Sequence, residues 1–70
     1  MWKKVLESKV IEIIGEYGIV RSKEQDYLPN GTKNGRAKTW YDVCLEYGDG
    51  DIVASFDKVK DARKWAKDNV

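Results

Sequence analysis

Seventy residues with thirteen cations, twelve acids and no histidine describe one small, highly charged domain that lacks the commonest general base and the commonest zinc ligand. The single cysteine, Cys44, excludes an intrachain disulfide framework and points to a reducing, cytoplasmic setting. One thiol without a base beside it makes neither a nucleophile–base pair nor a metal site, so a binding module without catalytic residues, metal or cofactor is expected, and not an enzyme.

The chain opens with Lys3 and Lys4, but no unbroken apolar run follows, so neither a signal peptide nor a membrane-spanning segment is expected. Trp2, Val5, Leu6, Val10, Ile13, Ile14 and Tyr17 recur at three- and four-residue spacing, with Lys3, Lys4, Glu7, Lys9, Glu12 and Glu16 mainly opposite. That pattern predicts an amphipathic N-terminal helix over residues 2–14, closed near Gly18. The β-branched Val10, Ile11, Ile13 and Ile14, interrupted by Gly15, support a competing reading: a long bent strand from Val10 to Val20. Ile19 to Gln25 reads as a short strand whose charges Arg21, Lys23 and Glu24 suit a sheet edge.

Residues 27–38 (YLPNGTKNGRAK) form a loop, marked by Pro29 and two Asn-Gly pairs. From Thr39 to Tyr47 the side chains alternate: Tyr41, Val43, Leu45 and Tyr47 on one face, Trp40, Asp42, Cys44 and Glu46 on the other. Gly48-Asp49-Gly50 supplies a turn, and Ile52, Ala54 and Phe56 continue the apolar face on a returning strand. Asp57 is a suitable N-cap for a last helix that turns Val59, Ala62, Trp65, Ala66 and Asn69 to one side. The core is expected where Val59, Ala62 and Trp65 meet Tyr41, Val43, Leu45 and Phe56. The fold class is α+β: one domain, residues 1–70, with a three-stranded antiparallel sheet, a C-terminal helix on one face and an N-terminal helix.

Charge is unevenly spread. Residues 1–26 balance, 27–41 carry Lys33, Arg36 and Lys38 without an acid, 42–57 carry five acids without a base, and 58–70 carry five bases against two acids. Cations on a glycine-rich loop can follow a phosphate backbone, and an adjoining aromatic can stack on a base. Lys33, Arg36, Lys38 and Trp40 are therefore candidate nucleic-acid contacts, with Arg63, Lys64 and Lys67 of the basic helix assisting. The acidic Asp42, Glu46, Asp49 and Asp51, with exposed aromatics, are the candidates for a protein partner instead. A second copy of the chain is an open partner for Trp2 and Trp40. The Asn30–Gly35 segment lacks the Gly-Lys-Ser/Thr ending of a P-loop, and the Gly48–Asp51 turn lacks the spaced acids of a calcium loop.

Residues 36–67 resemble the arm-site DNA-binding modules, a three-stranded sheet plus helix, of phage and transposon tyrosine integrases. The resemblance rests on Arg36 and Lys38 before Trp40-Tyr41, the Gly48–Gly50 hairpin, Phe56 ending a strand, and Ala62 and Trp65 in the helix after it. It implies a sheet that enters the major groove, with polar or basic residues facing outward; Asp42 and Glu46 depart from that pattern. The leading expectation is a small nucleic-acid-binding accessory protein of phage or mobile-element type. The alternative is a protein–protein module, an inhibitor or adaptor, working through residues 42–51.

Overall fold

The N-terminal segment is a strand. The computed structural model describes residues 1–70, and Trp2–Ile14 (β1) pairs antiparallel with Tyr17–Tyr27 (β2) through a two-residue turn, Gly15-Glu16. Gly15 takes φ +60° at the first central position of that turn, which a side chain would strain and glycine does not. The predicted N-terminal helix is thereby corrected. Val10, Ile13, Ile14 and Tyr17 meet the helical spacing, but the branched side chains prefer extended backbone, and Ile14 and Tyr17 close the hairpin opposite each other. Single-residue bulges at Leu6 and Ile11 interrupt the pairing, while Glu7 to Val10 run in regular register with Lys23 to Val20.

Lys38–Cys44 (β3) pairs with β2, and Ile52–Phe56 (β4) pairs with β3, so the sheet has four antiparallel strands in the order β1-β2-β3-β4, not three. The expected short edge strand, Ile19 to Gln25, is instead the middle of an eleven-residue interior strand. Arg21 and Glu24 are tolerated there because they find partners across the sheet: Arg21 donates to Glu7, and Glu24 meets Lys3 at 3.5 Å.

The helix Val59–Asp68 (α1) lays Ala62 and Ala66 on Ile19 and Val43, and all four are fully buried. Alanines there let the helix backbone come close to the sheet. Tyr41, Ala54, Phe56, Val59 and Trp65 pack around them, as does Tyr17, whose ring meets Trp65 edge-on at 5.3 Å. Leu45, expected in this core, is exposed. Here the strand has ended and the chain turns through Glu46 and Tyr47, both at positive φ (54° and 58°). Lys58, in extended backbone, occupies the N-cap position expected for Asp57, without a side-chain cap. Arg63 of α1 donates to Glu12 of β1 at 2.8 Å, and Val70 covers Gly15.

The helix covers only the end of the sheet that carries Ile19 and Val43. Beyond it β1, β2 and the 28–37 loop continue as an arm, giving overall extents of 45 × 20 × 16 Å. Trp2 and Tyr27 stack at 4.1 Å near its tip, and Gln25, buried, donates to the Gly35 carbonyl.

Candidate nucleic-acid interface

Paired residues in an antiparallel ladder point to the same side of the sheet, and neighbours along a strand alternate. Ile19, Tyr41, Val43 and Phe56, which touch the helix group, mark the helix side; Ser22, Asp42 and Ser55, which share hydrogen bonds, mark the other. Following the register outward assigns the arm. Arg21, Lys23, Gln25 and Tyr27 of β2, with Lys9, Glu7, Lys4 and Trp2 opposite them, lie on the helix side. Glu24, Asp26, Lys3 and Val5 lie on the other.

The helix side of the arm is therefore cationic: Lys4, Lys9, Arg21 and Lys23 surround one acid, Glu7. Lys9 and Arg21 stand directly opposite each other, an arrangement that costs stability in a bare sheet. The Arg21 hydrogen bond, with Lys23 and Lys9 adding attraction, holds the Glu7 carboxyl below the usual carboxylate range; the same bond raises Arg21. Glu7 thus stays ionised well into acid, yet offsets only one of the four positive charges.

Of the residues predicted from the sequence, Lys33 and Arg36 are exposed in the loop at the arm's tip and take part in none of the four ion pairs. Lys64 and Lys67, with Lys60, form the outward ridge of α1 and are equally free. Lys38 is engaged with Asp26 at 3.5 Å, and Arg63 with Glu12. Trp40 lies opposite Ser22, on the helix-free side, half-buried, and its indole N–H donates to Asp42 at 3.2 Å. Lys33, bridged to Tyr27, shares the helix side, while Lys38 and Trp40 belong to the reverse. Sequence reasoning missed Lys4, Lys9, Arg21 and Lys23 as a group because a helical N-terminus scatters them; the Gly15-Glu16 turn signal would have aligned them.

The acids divide as well. Asp42 is only 6% exposed and accepts from Ser55 at 2.6 Å, Ser22 at 3.3 Å and Trp40, so it is an interior acceptor and not a docking residue. Glu46, Asp49 and Asp51 are exposed around the turn. There Tyr47 donates its backbone N–H to the Glu16 carbonyl at 2.9 Å. Cys44 is buried; desolvation first, and then the Asp42 charge, push its thiol up, which disfavours the thiolate.

A cleft of about 800 Å³ opens where β3 outruns β4, lined by Lys38, Trp40, Phe56, Asp57, Lys58 and Asp61 among others. Its charges are mixed and favour no single ion. No group of side chains is arranged to hold a metal, and no helix is long and apolar enough to cross a membrane. No protein-family model, curated protein or solved structure matches this chain.

Proposed function

We propose that the chain is a non-catalytic nucleic-acid-binding module that takes a phosphate backbone on the helix side of its arm. The observation that carries this reading is the alignment of Lys4, Lys9, Arg21 and Lys23 on one face around a single acid. A sheet face that keeps Lys9 opposite Arg21 is relieved by an anion between them. Lys33, bridged to Tyr27, extends the face at the tip, and Arg36 is exposed in the same loop. Asp42, with Glu24 and Asp26, points to the opposite side of the sheet, away from this face.

The surface so used differs from that of the integrase modules, which present the helix-free face of the sheet. Trp40 then serves to cover Asp42 rather than to stack on a base. Backbone contact of this kind is salt-dependent and only weakly selective for sequence.

Anisotropy of a labelled duplex of about 20 base pairs, titrated at several salt concentrations, tests the reading directly. Saturable binding should weaken steeply with salt. Lys23→Ala and Arg36→Ala should each lower the slope of log K against log salt by about 0.9, whereas Lys38→Ala should leave it near the parent value. Absence of binding at low salt, or equal losses in all three variants, would overturn the assignment of this face.

A further inference from the structure

We infer that two copies of the chain pair through their β1 edges, antiparallel, about a two-fold axis at Ser8. β1 is thirteen residues long, bonds to a neighbour on one side only, and exposes Trp2, Val5, Leu6, Val10 and Ile13; Val5 is 64% and Ile13 56% exposed. Long edges with exposed apolar side chains invite another strand. A second copy is favoured over a different protein by a property of the strand itself: in one register, it is complementary to itself.

Alternation of side chains requires that residues facing each other across a two-fold axis differ by an even number. With Ser8 opposite the partner's Ser8, Glu7 meets the partner's Lys9 and Lys4 meets the partner's Glu12. Trp2 meets the partner's Ile14, and the bulged Leu6 lies across from the partner's Val10. By symmetry each contact occurs twice, giving four opposite-charge pairs and four apolar ones. Lys3 meets the partner's Ile13, where a lysine stem lies along apolar surface with its charge in water. Shifting the axis by one residue puts Glu7 against Glu7, or Lys9 against Lys9, so the neighbouring registers are repelled. The bulges at Leu6 and Ile11, which ordinarily protect an edge, bracket the regular run Glu7–Val10 that contains the axis.

The pairing uses Lys4 and Lys9, which the nucleic-acid reading also uses, and it is measured without nucleic acid, so that its failure and that of the nucleic-acid reading are told apart. Sedimentation over a wide protein concentration range should show a reversible monomer–dimer equilibrium. Lys9→Glu places two acids against each other twice, and Glu7→Lys does the same with two bases; each variant alone should dimerise at least tenfold more weakly. Mixed in equal amounts, the two variants regain opposite charges at both positions and should form a heterodimer. Ser8→Cys should form an intermolecular disulfide under mild oxidation, while Cys44 stays buried and inert. A monomer at every concentration, a mixture no more associated than its components, or a Ser8→Cys variant that fails to cross-link would each overturn the proposal.

Discussion

Gly18→Ala is expected to destabilise the fold by about 3 kcal/mol, the upper end of what a single added methyl costs in a packed interior. Gly18 lies in β2, buried, between Ile13 and Cys44, and the chain from Glu46 to Gly48 turns back across it. A β-carbon at Gly18 would come within 2.5 Å of the Gly48 α-carbon and of the Tyr47 carbonyl carbon. Both atoms are backbone, so no side-chain rotation relieves the clash. The turn would have to lift, which breaks the Tyr47 bond to Glu16 and uncovers Val10, whose side chain lies against Gly48. Urea unfolding of the two proteins measures the loss; a difference below about 1 kcal/mol would show that the turn is not seated on Gly18.

Asp42→Val should cost a comparable amount, for a polar reason. The carboxylate is the shared acceptor of Ser22, Ser55 and the Trp40 indole, and its removal leaves the buried Ser22 hydroxyl and the half-buried indole without a partner. An orphaned buried donor costs about 1–3 kcal/mol, and Ser55, which is exposed, can turn to water. A loss of roughly 3 kcal/mol is expected for the single variant. Adding Ser22→Ala and Ser55→Val should recover the Ser22 share of it, because that donor is removed with its acceptor and valine suits a strand, while the Trp40 indole still lacks a partner. If the triple variant is as unstable as the single, the cluster acts through its charge and not through its hydrogen bonds.

The C-terminal half of this fold was legible in the sequence. Alternation from Thr39 to Cys44, the return through Ala54 and Phe56, and the stripe of Val59, Ala62, Trp65 and Ala66 each follow from one uncontested period. Trp40 and Asp42 were read on the face away from the helix, where they lie. The N-terminal half was ambiguous for a physical reason. An edge strand is partly wet on both faces, so it need not alternate, and bulges at Leu6 and Ile11 break what alternation remains. Residues 10, 13, 14 and 17 then imitate a helical stripe. Gly15 was read as an interruption, although glycine before one polar residue between apolar positions is also the chemistry of a two-residue hairpin turn. Misplacing that one turn hid the alignment of Lys4, Lys9, Arg21 and Lys23, which no local pattern reveals. The loop and helix cations need no such alignment to stand out as candidates, but which of them are free, and which are held by Asp26 or Glu12, is visible only in the fold.

Strand order in this sheet repeats the order in the chain, with no strand skipped or inserted later. Each strand can therefore add to the one just made by closing a short loop, and the closure entropy grows only slowly as assembly proceeds. The exception is α1 and the residue after it, whose ties from Arg63 to Glu12 and from Asn69 to Tyr17 span 51 and 52 residues and carry the largest closure entropy, so they are expected to form late. Changes that weaken only the docking of α1 thus fall on the unfolding rate and leave the folding rate nearly untouched. Variants that weaken α1 docking are expected to shorten the lifetime of the native state, and variants in the first hairpin to slow its formation.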